Sequence, residues 1–236
     1  MRVVVLLSGR GSNLDALLAD CAQAGAGYQI VAAIADRAAP GLALAAAAGV
    51  PADIVARSEF ADRAAFESAL SARIARYAPT LIVLAGFMRV LSATFVEAHA
   101  DRMINIHPSL LPKYPGLDTH RRALEAGEVE HGASVHLVIP ALDAGPVLAQ
   151  ARIALPARNE APEAVAARLL PREHRLLCAC VRALASGWVA VQSGAFSIDG
   201  VPLNAALALD EHDELVEGGT GRRLLGHGRS ADGAGA

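Results

Sequence analysis

The stretch MINIHPSLLPKYPGL, residues 103–117, decides how this chain is read. Met103, Ile104 and Ile106 form an apolar run of strand length, with Asn105 and His107 set into it at alternate positions. Residues two apart on a strand point to the same side, so the amide and the imidazole are expected to project together. Pro108 has no N–H for a ladder and biases His107 towards extended geometry. Pro112 and Pro115-Gly116 stiffen the loop that follows. An amide and an imidazole at a strand's carboxyl end, backed by a rigid loop, is how an open α/β sheet presents a catalytic site.

The residues upstream supply the sheet. Val3–Leu7 is a continuous apolar run, the pattern of a parallel strand covered on both faces. SGRGSN follows at 8–13, and then Leu14, Leu17 and Leu18 at helical spacing. Strand, glycine turn and helix is a layout in which backbone N–H groups and a helix N-terminus bind phosphate. Gly11 lets the backbone approach closely, and Ser12 and Asn13 are placed to cap the helix and donate to an anion. An ordinary glycine-rich turn fits the spacing equally well, and neither the dinucleotide nor the P-loop fingerprint is matched.

Further strands are expected at 28–35, 52–55 and 80–85, with helices at 42–49 and 60–77. In the second helix Phe66, Leu70 and Ile74 share one face, and Arg63 falls in the first turn. The alternation predicts an α/β fold: a Rossmann-like, doubly wound, mostly parallel sheet in three layers. The loop at 86–91 would then lie at the same carboxyl edge as 9–13 and His107. Its Phe87, Met88, Val90 and Leu91 suit a flat aromatic ligand, or simple packing under the helix cap at Ser92.

Downstream, a short helix is expected at 119–126 and strands at 131–139 and 145–155, joined by Leu142-Asp143-Ala144-Gly145-Pro146. The pair makes a C-terminal antiparallel extension, so the sheet should be mixed. Asp143 beside Gly-Pro reads first as a turn-former. A long amphipathic helix at 162–184 is expected to break or kink near Pro171, and a small hairpin closes 188–198. Residues 1–200 read as a single domain, with a phosphate-binding half (1–100) and a catalytic half (101–200). Residues 201–236 form a C-terminal extension, whose tail beyond Glu217 lacks a core pattern and is expected to be disordered.

Composition narrows the class. The 236 residues are 53% hydrophobic, enough for a sizeable core, and the net charge of −3 offers no electrostatic footprint for nucleic acid. Three cysteines without metal-ligand spacing suggest a reduced, cytoplasmic protein with no metal. A run of roughly 18 apolar residues, which a membrane helix needs, is lacking. The zincin, zinc-ribbon and α/β-hydrolase motifs are missing as well. Among eight histidines, His107 stands out by its setting; His120, His131, His136 and His174 read as surface or structural.

The chemistry open to such a pair is acyl transfer. An asparagine N–H can stabilise an oxyanion and a histidine can shuttle the proton. A carboxylate nearby would raise the histidine's pKa and orient it, and Asp143 is the candidate because its turn should return to the same edge. No Ser or Cys nucleophile is placed by motif, so direct transfer is preferred to a covalent intermediate.

With these residues in view, SGRGSN (8–13), LAGFMRVLS (84–92), INIHPSLLPKYPGL (104–117), HGASVH (131–136) and LDAGPV (142–147) resemble the phosphoribosylglycinamide formyltransferases. These are folate-dependent enzymes of purine biosynthesis. The resemblance runs in order from Met1 to about Gly200. HPSLLP is shared by folate formyltransferases generally, and SGRGSN points to the glycinamide ribonucleotide enzymes.

The resemblance implies the formyltransferase fold, with two small-molecule substrates, as a monomer or homodimer and with no nucleic acid or membrane partner. Gly11, Ser12 and Asn13 would bind the substrate phosphate, and Glu173 its ribose. Arg63, Met88, Arg89, Val90, Leu91 and Asn105 would bind the co-substrate, 10-formyltetrahydrofolate. Asn105, His107 and Asp143 would be the catalytic trio, with Asp143 sustaining the charged form of His107. Leu170-Pro171-Arg172 departs from the often glutamine-rich helix of relatives, and Leu111-Pro112 is expected to be cis. A formyltetrahydrofolate hydrolase would carry a further N-terminal domain, and a methionyl-tRNA formyltransferase a basic C-terminal one. A non-catalytic Rossmann-type module would have no need of the trio.

Overall fold

The computed structural model describes residues 1–155 and 160–218. The tail expected to be disordered therefore lies, from residue 219, outside the described residues.

Among the described residues, seven strands and six α-helices build the main body in chain order. They are β1 (Arg2–Leu7), α1 (Ser12–Cys21), β2 (Gln29–Ala35), α2 (Gly41–Ala47), β3 (Ala52–Ile54), α3 (Arg63–Ala75) and β4 (Leu81–Leu84). Then come α4 (Ala93–Ala98), β5 (Met103–His107), α5 (Thr119–Glu125), β6 (Glu130–Leu137), β7 (Val147–Ala154) and α6 (Pro162–Ala185). Strands β8 (Val189–Gln192), β9 (Ala195–Ile198) and β10 (Val201–Pro202) make a small antiparallel sheet. Finally β11 (Leu207–Leu209) and β12 (Leu215–Val216) return to the main sheet, whose order is β12-β11-β7-β6-β5-β4-β1-β2-β3.

Three layers follow from the alternation within β1. Val3, Val5 and Leu7 face one core with Leu14 and Leu17 of α1 and Leu176, Leu177 and Val181 of α6. Val4 and Leu6 face the other, with Phe66, Leu70 and Ile74 of α3 and Phe95 and Val96 of α4. Both faces of β1 are buried, which is why its sequence is an unbroken apolar run. The sheet is parallel from β3 to β5 and antiparallel from β5 through β6 to β7.

The topology creates the site. From β1 the chain steps outward to β2 and β3, then returns to the other side of β1 as β4. The loops after β1 and β4 thus meet at the carboxyl edge, at the kind of switch point where open α/β sheets bind ligands.

Three expectations need correction. Helix α6 is continuous through Pro171 rather than interrupted. Proline deletes one N–H, but Pro171 is solvent-exposed, while Val165, Leu169, Leu176 and Leu177 bury the opposite face and hold the helix. Ser12 and Asn13 do not cap α1; Gly11 is the N-cap, with φ 80 and no side-chain bond. A Cβ on Gly11 would sit 2.6 Å from Cα of Gly41, so glycine is needed for both the turn and the close approach. Lastly, β11 and β12 were not anticipated. They are short, and β11 gains its ladder by lying parallel to β7.

Candidate active site

Strand β5 places Asn105 and His107 on one side, as its period requires, with Ile104 and Ile106 in the core on the other. Neighbouring β6 sets His136 opposite Asn105, and Ser134 opposite His107. The loop after β5 is pinned from below. Ser134 Oγ donates to the Ser109 carbonyl (2.7 Å) and accepts from the Leu111 N–H (3.0 Å), while Gln150 Nε2 donates to the Leu111 carbonyl (2.8 Å). Leu111-Pro112 is cis, as expected.

Asp143 reaches the pair from the β6–β7 turn. It has φ 49, a left-handed conformation that aspartate tolerates better than most residues. Gly145 allows the turn to close, since a Cβ there would lie 1.9 Å from the Leu137 carbonyl oxygen. The carboxylate accepts the Gly116 N–H at 2.8 Å, lies 3.5 Å from His107 Nδ1 and 3.6 Å from His136 Nε2. Burial would raise its pKa, but the neighbouring His136, the Gly116 N–H and His107 outweigh that and hold it below the usual carboxylate range.

His107 is buried, with Nε2 2.9 Å from the Tyr114 carbonyl oxygen. Asp143 pushes its pKa up, as expected from the sequence, yet desolvation is larger and the net direction is down. His107 is therefore neutral at rest rather than held charged, which corrects the expectation.

His136 is the residue the sequence reading missed. Its Nδ1 lies 3.0 Å from the Leu137 carbonyl, which can only accept, so Nδ1 carries the proton. Nε2 is then free to accept from Asn105 Nδ2 at 3.1 Å, and this orients the amide. The alternation of β6 hid it, because an inward polar residue looks like any other member of the ladder.

A cleft open to solvent lies over these residues. Phe87, Val90, Leu91, Ile139 and Leu142 give it an apolar wall, and Arg89, Asn105, His136 and Asp143 line it too. His107 sits behind the cleft rather than in its wall. Met88 is largely exposed beside it, its N–H donating to Ser8 Oγ (2.8 Å). Arg63 stands outside the wall, bonded to Glu67 (2.9 Å), whose carboxylate takes the Ser92 N–H (2.8 Å) where the 86–91 loop ends.

Across the switch point, Gly11, Ser12 and Asn13 open α1. The N–H groups of a first helical turn lack partners within the helix, the usual setting for an anion. Glu173 of α6 meets this turn, and burial raises its pKa to about 7 against a hydrogen bond from Asn13.

Residues 1–181 match the family model for formyl transferases. The chain belongs to the formyl transferase family. This formyl transferase is 43% identical over 201 residues to the phosphoribosylglycinamide formyltransferase of Escherichia coli K12, covering 85% of this chain and 94% of that protein. It is 36% identical over 189 residues to the human trifunctional purine biosynthetic protein adenosine-3, covering 80% of this chain and 19% of that longer protein. The structure of the Coxiella burnetii phosphoribosylglycinamide formyltransferase in complex with CHES superposes with a TM-score of 0.80. It is 46% identical, over 86% of this formyl transferase and 95% of that chain. Among the described residues, no helix is long and apolar enough to cross a membrane.

Proposed function

We propose that this formyl transferase moves the formyl group of 10-formyltetrahydrofolate to the amine of 5-phosphoribosylglycinamide. The products are N-formylglycinamide ribonucleotide and tetrahydrofolate, in de novo purine (IMP) biosynthesis. The observation that carries the reading is the placement of Asn105, His107 and Asp143 beside two ligand settings at one sheet edge. An apolar cleft lies on one side and a phosphate-type helix start on the other.

Gly11, Ser12 and Asn13 take the substrate phosphate, and Glu173 the ribose hydroxyls. Met88, Arg89, Val90 and Leu91 flank the pterin, Arg63 stands further out towards the folate tail, and Asn105 contacts the formyl end. The amine lone pair attacks the formyl carbon and the carbonyl electrons move to oxygen, where the Asn105 N–H stabilises them. His107, neutral at rest and set behind the cleft, takes up the proton the amine sheds by way of a water ordered at Asp143, on its Nδ1 side. The imidazolium so formed is stabilised by Asp143 and the Tyr114 carbonyl. The same water returns the proton to the folate nitrogen as its bond to carbon breaks. The enzyme works in the cytoplasm on small molecules, as a monomer or homodimer.

The test is turnover of 10-formyltetrahydrofolate by the purified protein, followed by folate absorbance, with and without glycinamide ribonucleotide. Turnover that requires the amine supports the reading. Turnover without it favours a hydrolase, and none in either case favours a binding module.

A further inference from the structure

Asp36 directly follows β2 in the stretch ADRAAPG, and its side chain is fully buried. Its Oδ2 accepts Arg89 Nε at 2.5 Å and an Arg37 guanidinium N–H at 3.0 Å, and its Oδ1 accepts Arg37 Nε at 3.2 Å. The Ser8 hydroxyl lies close enough to help hold the Asp36 pKa down. Ser8 in turn accepts the Met88 N–H at 2.8 Å, and its own N–H donates to the Gly86 carbonyl at 3.1 Å. Ser8 opens the turn that leads into Gly11–Asn13. Gly86, Met88 and Arg89 belong to the loop that walls the cleft. One buried carboxylate therefore touches both loops at the switch point.

We propose that Asp36 is a positioning residue for both substrate loops, setting the 86–91 loop through Arg89 and Ser8 and the phosphate turn through Ser8. The proposal rests on the two-substrate reading above. Two features of the arrangement favour it over a plain ion pair. A buried charge pair is a poor source of stability compared with apolar packing, and Arg37 alone would neutralise the carboxylate. Arg89 is the second cation, and it also lines the cleft. The other end of the loop is held in the same manner, since buried Glu67 takes both the N–H and the hydroxyl of Ser92. The loop thus hangs between two buried carboxylates, and only the Asp36 end reaches the phosphate turn.

The experiment compares wild type with Asp36→Asn, Arg89→Ala and the double variant, measuring kcat and KM for each substrate. Calorimetric Kd values, with each substrate alone, are measured alongside. Asp36→Asn is expected to raise KM and Kd for 10-formyltetrahydrofolate about tenfold, the loss of one charge-assisted contact, with kcat within about twofold. KM for the ribonucleotide rises as well. The double variant should raise folate KM by less than the product of the two single effects, because Asp36 acts on the cleft in part through Arg89. A fall in kcat at unchanged KM, or full additivity in the double variant, would overturn the proposal. Should Asp36→Asn fail to fold, Ser8→Ala carries the same test, since Arg37 and Arg89 still neutralise Asp36. Its KM values for both substrates must rise, and unchanged values overturn the proposal. A wild type that binds neither substrate overturns the functional reading together with this one. A wild type that binds both, beside an Asp36→Asn variant that binds equally well, overturns only the role of Asp36.

Discussion

His107 Nδ1 stands 3.5 Å from Asp143 Oδ2 while the opposite ring nitrogen faces the Tyr114 carbonyl oxygen at 2.9 Å. Neither partner can donate when the carboxylate is ionised, so a neutral ring satisfies one of them and an imidazolium satisfies both. Burial opposes the charge and prevails at rest. The site is thus arranged to receive a proton during the reaction rather than to store one beforehand.

The pH dependence follows. His107 is held below its ordinary pKa of 6.5, mainly by desolvation. A base with a depressed pKa keeps its neutral form down to lower pH and loses it only as pH falls through that value. The acid limb of kcat/KM for 10-formyltetrahydrofolate, measured at saturating ribonucleotide so that Glu173 is already engaged, should have its midpoint below 6.5. A midpoint above 7 would mean that Asp143 outweighs burial.

Glu173 gives a stability prediction of definite sign. Its folded pKa is raised from 4.5 to about 7, so the unfolded chain ionises first. Below about pH 4.5 both states are protonated and nothing is lost. Wild-type stability then falls as pH rises through the window from 4.5 to 7, and levels off above it. Glu173→Gln removes that term, so its stability relative to wild type should improve by up to about 3 kcal/mol between pH 5 and 8. Urea melts at the two values check this, and a constant difference would mean that the carboxyl is solvated. The same variant should raise KM for the ribonucleotide about tenfold by losing a charge-assisted contact to the ribose.

Gly145→Ala tests how Asp143 is held. The added Cβ would lie 1.9 Å from the Leu137 carbonyl oxygen, so the turn must shift and carry the carboxylate away from His107. A stability loss of about 1–3 kcal/mol, as for an overpacked core site, should accompany a fall in kcat of at least about tenfold. Wild-type activity in this variant would show that the reaction tolerates a displaced Asp143.

Much of this architecture is legible in the chain because β1 and β4 are buried on both faces and so must be written as apolar runs. Asn105 and His107 were readable for the same reason, as polar residues at period two inside such a run. Asp143 needed more, since its position depends on a left-handed backbone and on the space beside Gly145, neither of which spacing reveals. His136 and Asp36 were invisible: each is a single polar residue whose meaning comes from partners 31 and 53 residues away. The last two strands of the main sheet were hidden by length and by dependence on others. Arg172, which read only as a departure from relatives, donates to the Leu209 and Asp210 carbonyls and ties that segment to α6.

The kcat of Asp143→Asn with both substrates saturating tests the central claim most directly. Asparagine keeps the size of the side chain and an oxygen for the Gly116 N–H, but it cannot carry the charge that stabilises the imidazolium of His107. The account predicts a fall of at least about a hundredfold, the scale of a lost acid–base contribution, with KM values little changed. A rate near that of wild type would contradict it and remove Asp143 from the mechanism.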